Sequence, residues 1–332
     1  MKTAVIILNW NGADVLPKYL PSVVEHTPST TARIIVADNA STDGSAEYAE
    51  QYESVEVVRL DANYGFAQGY NIAIKQVEAE YVVLLNSDVS VSEGWLEPLI
   101  SYLDQHDEVA AVQPKILSFR EPNMFEHAGA AGGLLDLFCY PYCRGRRIDK
   151  VASDEGQYDT VEPIFWASGA CLCIRRSAYL QNGGLDARFF AHMEEIDLCW
   201  RLKARGMEIY VVPQSKVWHY GGASLPYDNP RKTYLNFRNN LLMIYKNAHS
   251  RYFFLIMMVR FVLDYLALAV MLLKGERQNA RAVYNARIEY HKMKKSFAED
   301  RINNISKTLV RRPLGWTRRS VLVDHFLIHK TV

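Results

Sequence analysis

Arg33-Ile34-Ile35-Val36-Ala37-Asp38-Asn39-Ala40-Ser41-Thr42-Asp43-Gly44-Ser45 is an apolar run that stops abruptly in polar, turn-forming residues. Arg33 to Ala37 read as a buried strand. The residues after it turn and cap well, and they bring two carboxylates. The pattern recurs on either side. Val5-Ile6-Ile7-Leu8 stops at Asn9-Trp10-Asn11-Gly12, and Tyr81-Val82-Val83-Leu84-Leu85 stops at Asn86-Ser87-Asp88. Val55 to Leu60 is a further strand, followed by Asn63 and Tyr64. Leu16, Leu20, Val23 and Val24 keep helical spacing between the first two strands. Strands alternating with helices predict an α/β fold with a mostly parallel sheet covered by helices on both faces. Such sheets bind ligands outside the carboxyl ends of their strands, so four polar strand ends predict a polar-ligand site.

The chain has 332 residues, 49% of them hydrophobic, enough for one large domain or a domain with an extension. Its net charge of +1 hides a split. Residues 230–332 hold 20 Lys and Arg against 6 Asp and Glu, whereas residues 1–229 are acidic. A basic tail of this kind meets something anionic. Phospholipid head groups fit, and no nucleic-acid-binding motif accompanies the charge. The five cysteines are odd in number and loosely spaced, which argues against a disulfide framework. Cys139 and Cys143 lack a second Cys/His pair at zinc spacing. The N-terminus opens directly on a strand-like run, so no signal peptide is expected.

Residues 109–180 read as further strands and loops. Glu194 to Arg205 has helical spacing and stops at Gly206, and Ile209 to Val212 is a late strand leading to Trp218-His219. A boundary is expected near 230, dividing a ligand-binding and catalytic domain (1–230) from a basic, apolar helical region (231–332). Tyr252 to Leu273 is long enough to cross a bilayer but is broken by Arg260 and Asp264, spaced to pair with each other. It reads as an interfacial helix or hairpin, as a membrane span, or as a core helix.

Several segments bear chemistry. Asp38 to Ser45 reads either as a capped turn or as a ligand loop. Asn63 to Asn71 combines two glycines with two asparagines around an aromatic, which lets backbone and amides approach a ligand. Asn86-Ser87-Asp88 offers oxygen ligands to a hard cation. Phe189-Phe190-Ala191-His192-Met193-Glu194-Glu195-Ile196-Asp197-Leu198-Cys199-Trp200-Arg201 sets three carboxylates in an apolar frame, where a raised pKa and a role as base are natural. The plainer alternative is a helix N-terminus whose acids complement the dipole. Asp197 and Arg201 are spaced to pair. Arg144, Arg146 and Arg147 form either a phosphate clamp or a solvated basic loop. Trp166 suits either a stacked sugar or the core.

In this order and spacing, the segments from Val5-Ile6-Ile7-Leu8-Asn9 through Ser168-Gly169-Ala170 to Trp218-His219 resemble the family 2 glycosyltransferases with the GT-A fold. The likeness is greatest to the bacterial rhamnosyltransferase-like branch, and the tail carries little of it. The resemblance implies that Asn9, Asn11, Asp38, Asn63, Gly65, Phe66, Asn71 and Asn86 line a nucleotide-sugar pocket. It implies that Asp88 and His219 hold Mn2+ or Mg2+, with Asn86 standing where the family often has Asp. Glu195 matches the catalytic base, usually an aspartate, with Glu194 in support and Asp197 as rival. Trp166, Ser168, Gly169, Arg144 and Arg146 are expected toward the acceptor or its phosphate.

The expected activity is inverting transfer from a nucleotide-diphosphate sugar, with dTDP-rhamnose as the leading guess, to a saccharide acceptor carried on a lipid. The expected place is the cytoplasmic face of the bacterial inner membrane, against an anionic surface. The oligomeric state stays open. A sugar-nucleotide nucleotidyltransferase would want a glycine-rich, basic loop where the chain has Asn9 to Gly12. A catalytically silent sugar-nucleotide binder would have no use for the acidic pair and His219, both of which are present.

Overall fold

The computed structural model describes residues 1–127, 129–147, 150–221 and 229–326. The first half alternates strand and helix: β1 Thr3–Asn9, α1 Leu16–His26, β2 Ala32–Asp38, α2 Ser45–Ala49, β3 Val55–Arg59, α3 Gly65–Gln76, β4 Tyr81–Asn86, β5 Val89–Val91, α4 Glu97–Gln105 and β6 Val109–Ser118. Four short strands follow, β7 Gly133–Leu135, β8 Pro141–Cys143, β9 Arg146–Arg147 and β10 Lys150–Val151, forming a small antiparallel sheet. Then come β11 Glu162–Pro163, β12 Cys171–Arg175, α5 Arg176–Gln181, α6 Glu194–Ala204 and β13 Glu208–His219.

The main sheet runs β11-β13-β6-β12-β4-β1-β2-β3, with β5 added against β13. β1 to β4 are mutually parallel, as the apolar runs predicted, and β6 and β13 are parallel to each other. β12 is antiparallel between β4 and β6. Alternate residues of β1 feed two cores. Ala4 and Ile6 face the layer that includes Tyr70 of α3 and Trp200 of α6, while Val5 and Ile7 face Leu16, Leu20 and Leu103 of α1 and α4. Two-sided burial is why these strands read as unbroken apolar runs rather than as alternating ones.

Register determines where the polar ends fall. Asn9 pairs with Asp38, and Leu8 with Asn86, so three polar ends lie in a row at one edge of the sheet. The antiparallel pairing of β5 with β13 sets His219 opposite Val89, next to Asp88. All five cysteines are buried free thiols, consistent with the absence of a disulfide framework.

The remaining helices are α7 Pro230–Asn247, α8 Ser250–Leu273, α9 Arg277–Met293, α10 Ala298–Ser306 and α11 Val321–Phe326. No packing break occurs at 230, where the boundary was expected. Leu241, Leu242, Met243 and Ile244 of α7 share one buried cluster with Trp200 and Leu172, and the Leu309 and Val310 amides donate to the Ala204 carbonyl.

α8 turns its two central charges, Arg260 and Asp264, inward. Its buried residues are Ile256, Arg260 and Asp264, one stripe four residues apart. Asp264 accepts from Arg287 of α9 at 2.5 Å and from the Tyr140 hydroxyl at 3.2 Å, and Arg260 lies 3.8 Å over the Tyr140 ring. The outward face is apolar: Phe254, Leu255, Val262 and Leu273 are 71%, 65%, 63% and 88% exposed. The core-helix reading of Tyr252 to Leu273 is therefore overturned. A polar stripe binds the helix to the protein, and its hydrophobic surface is left outside.

Candidate active site

At the end of β1, Asn9 is fully buried and works as scaffold. Its Nδ2 donates to Asp38 Oδ1 at 2.9 Å and Ser45 Oγ at 2.8 Å, with Ser41 Oγ at 3.2 Å. Gly12 is pressed so closely against the Asn9 amide that an added Cβ would sit 2.2 Å from its oxygen. Ser41 N donates to the other Asp38 oxygen at 3.1 Å. Asn11 Oδ1 accepts from Thr42 N at 2.9 Å, bridging the loops after β1 and β2. Asp38 to Ser45 is thus both a turn and a cradle, with its hydroxyls and carboxylates stitching two loops into one surface.

Most of Asn63 to Asn71 forms the first two turns of α3. Asn63 Oδ1 accepts from Gly65 N and from Asn39 Nδ2, and Asn39 Oδ1 accepts from Tyr64 N, so the α3 entry is tied to the end of β2. Gly65 has φ of +72°, a conformation that favours glycine. Gly69 lets α3 approach Leu8, whose Cδ1 would lie 2.8 Å from an added Cβ. Asn71 is engaged elsewhere. Its amide donates to the Leu185 carbonyl at 2.8 Å and accepts from Tyr179 OH at 2.7 Å and Leu185 N at 3.0 Å. Asn9 and Asn71 therefore hold the walls of the site instead of facing its ligand.

Asp88 Oδ1 lies 3.1 Å from His219 Nε2, Asn86 Nδ2 is 3.4 Å from the same nitrogen, and Glu126 Oε2 is 3.6 Å from Nδ1. Burial opposes charge on both Asp88 and His219. Their mutual hydrogen bond and charges win, holding Asp88 below the usual carboxylate range and, with Glu126, raising His219 to about 10. Two carboxylates thus stabilise positive charge at this strand end, an environment suited to a divalent cation that would replace the imidazole proton. One carboxylate and one imidazole fit Mn2+. No cluster of three or more His, Cys, Asp or Glu ligands is found among the described residues, so further ligands would come from a bound diphosphate and water.

Further acids stand on α6. Glu194 and Glu195 open the helix, and each keeps one buried carboxylate oxygen without a hydrogen-bond partner. Burial raises both. Glu194, further repelled by Glu195, is pushed well above the carboxylate range, and Glu195 is raised to about 7. Repulsion from its neighbour makes Glu194 the harder of the two to ionise. An added Cβ on Gly169 would lie 3.3 Å from Phe66 and 4.0 Å from Glu195 Cβ, so these three residues meet. The Asn86 amide donates to the Ala170 carbonyl at 3.0 Å, joining that corner to the Asp88 strand end.

Asp197, the rival base, is fully engaged by its partners. It is fully buried, with Arg201 Nη2 and Lys246 Nζ both 2.8 Å from Oδ2 and Asn247 Nδ2 2.7 Å from Oδ1. Trp166 is likewise corrected. It is 4% exposed, its Nε1 donates to the Leu134 carbonyl at 3.1 Å, and its ring lies on Gly133, so it packs the core. Ser168 is buried, with its amide donating to Gln113 Oε1 at 2.9 Å. Arg144 lies 5.0 Å over the Tyr158 ring, while Arg146 Nη1 lies 2.6 Å from His127 Nδ1. The two arginines take separate partners, and the side chain of Arg147 is outside the described residues.

The sequence model of Glycosyl transferase family 2 matches residues 4–179, over half of the chain. The chain belongs to that family. Curated relatives of this glycosyltransferase include the N-acetylglucosaminyl-diphospho-decaprenol L-rhamnosyltransferase of Mycobacterium tuberculosis, 28% identical over 240 residues, covering 65% of this chain and 75% of the relative. Rhamnosyltransferase WbbL of Escherichia coli is 23% identical over 225 residues, covering 65% and 82%. They set the chain in the rhamnosyltransferase-like branch. The mannosyltransferase PcManGT from Pyrobaculum calidifontis, solved with GDP-Man and Mn2+, superposes with TM-score 0.53 at 16% identity, covering 93% of this chain and 87% of that one. This is the GT-A fold. α6 and His219 lie beyond the matched stretch, so their roles rest on geometry.

Sequence reasoning missed Glu126 beside His219, and it missed α7. Arg238, Asn239, Asn240, Lys246 and Asn247 are all buried. The available signal was a helix whose asparagines and cations interrupt an apolar face with no solvated side to put them on.

Proposed function

We propose that this glycosyltransferase moves a sugar from a nucleotide-diphosphate donor to a saccharide hydroxyl with inversion, that the donor sugar is rhamnose, and that the acceptor is lipid-linked. The carrying observation is the corner where Glu195, Gly169 and Phe66 meet, bonded through Ala170 and Asn86 to the Asp88–His219 strand end. The rhamnosyltransferase relatives support the sugar, and the diphospho-decaprenol in one relative's name supports the carrier.

Glu195, ionised near pH 7, takes the proton of the acceptor hydroxyl, and that oxygen attacks the anomeric carbon as the bond to the donor diphosphate breaks. One displacement needs one base and inverts the configuration. Glu194 stays protonated beside it, which keeps Glu195 from meeting a second charge. Asp88 and His219 would hold a divalent ion, which when bound neutralises the leaving diphosphate. Asp38 and the Ser41–Ser45 loop offer oxygens and amides to the nucleotide.

The test is nucleotide diphosphate release from a panel of sugar nucleotides with Mn2+ or Mg2+ and membrane lipid extract. dTDP-rhamnose is expected to turn over fastest, and turnover of no donor would end the proposal. His219→Ala is expected to raise the Mn2+ concentration for half-maximal rate at least tenfold, the loss typical of a removed ligand or its support (about 10–100-fold). An unchanged requirement would remove His219 from the metal site.

The outward apolar face of α8 lies on an anionic bilayer in this proposal, with exposed Arg251, Lys274, Arg277 and Arg281 at its ends. That placement keeps the enzyme at the cytoplasmic face, beside a lipid-borne acceptor. Flotation with anionic liposomes is expected at low salt. It should be lost in a Leu255→Ser, Val262→Ser, Leu266→Ser variant, and native protein that ignores such liposomes would contradict the placement.

A further inference from the structure

We propose that Asn239, on α7, is a positioning residue for the base, clamping the loop that aims Glu195. The inference rests on the assignment of Glu195 above and concerns a helix with no assigned role.

The loop between the turn Ala187–Phe189 and α6 is unusual. Phe190, His192 and Met193 have φ of +69°, +69° and +77°, and none is glycine. Such backbone persists only where its surroundings over-determine it. Met193 is the residue immediately before α6 and has no side-chain cap, so the direction in which Glu194 and Glu195 leave the loop is set by these three residues.

Three carbonyls in and beside this loop converge on one side chain. Asn239 Nδ2 lies 2.9 Å from the Phe189 carbonyl and 2.8 Å from those of Ala191 and His192. Arg238 completes the arrangement. Its Nη2 donates to the Phe189 carbonyl at 2.9 Å and its Nε to Asn239 Oδ1 at 2.9 Å, which fixes the amide with its donors toward the loop. Asn239 is fully buried, so no water substitutes for it. Two turns further along, Lys246 and Asn247 hold Asp197, three residues past Glu194. α7 thus grips the base-bearing segment at two points, one before the pair and one after it.

Neither point touches the reacting atoms. Asn239 shares its two N–H donors among the three carbonyls of the segment that turns the chain into Glu194 and Glu195. A small rotation there moves the Glu195 carboxylate away from the acceptor oxygen and lets water into its pocket.

Asn239→Leu keeps the volume and removes the donors. It is expected to lower kcat by about 100-fold, the effect of a misplacement near 1 Å, with donor KM within about twofold. Its rising pH limb should move down from near 7 toward the ordinary carboxylate range. Asn239→Gln, which keeps the amide, should recover part of kcat. Amide exchange of residues 190–197 by mass spectrometry should quicken in Asn239→Leu while that of β1 to β4 is unchanged. Native kcat with an unshifted pH limb, or unchanged exchange in 190–197, would overturn the clamp. If the native enzyme turns over no donor, the transferase proposal falls by itself, and the exchange measurement still decides whether Asn239 holds the loop.

Discussion

Replacing Glu195 by glutamine is expected to lower kcat by about a thousandfold and leave nucleotide binding and the unfolding midpoint near native values. The substitution is isosteric and removes only the capacity to take a proton. Glu195 Oε2 is buried without a partner, and the backbone hydrogen bonds from Met193, Glu195 and Ile196 that favour the carboxylate can still go to the glutamine oxygen. Burial already holds the group near neutrality at about 7, so a neutral amide costs the folded state little. Loss of kcat without loss of donor affinity marks an interaction made in the transition state alone. The check is steady-state kinetics beside donor binding by calorimetry. Near-native kcat in Glu195→Gln would move the base elsewhere.

Asp197→Ala is expected to act the opposite way, through stability. The carboxylate compensates Arg201 and Lys246 together, all three being buried. Lys246 keeps Asp186 at 2.7 Å, and Arg201 keeps the Gly184 carbonyl at 2.7 Å, but the charge at the centre is gone. Removing one partner of a buried ion pair costs about 3–5 kcal/mol, a large share of a domain's stability. Urea unfolding should show a loss of this size. A change below about 1 kcal/mol would mean the network carries little and would reopen Asp197 as a base. The two carboxylates sit two residues apart on one helix, and the variants separate their roles: one removes rate, the other removes the fold.

Much of this was legible in the chain. Ile34 to Ala37 and Val82 to Leu85 are apolar at every position because both faces of their strands are covered, and their polar ends fall in register because parallel neighbours start together. The Asp197–Arg201 pair followed from helical spacing. Asn71 and Trp166 were misread because the sequence cannot say which neighbour claims an amide or an indole. Asn71 is claimed by Leu185 and Tyr179, Trp166 by Leu134 and Gly133. α8 was left open among three readings for a related reason. Arg260 and Asp264 needed Tyr140 and Arg287, distant in the chain, to turn two costly charges into an inward stripe. Asn239 stayed hidden because its partners are backbone carbonyls, which leave no mark in a sequence.

The central claim is that a Glu195 carboxylate with a raised pKa removes the acceptor proton. The direct test is kcat of the native enzyme from pH 5 to 9 at saturating donor, acceptor and metal. Only the ionised form accepts a proton, so kcat is predicted to rise with pH through about 7 and level above it. A rate that is flat from pH 5 to 8, or a rising limb near the ordinary carboxylate value of about 4.3, would contradict the account.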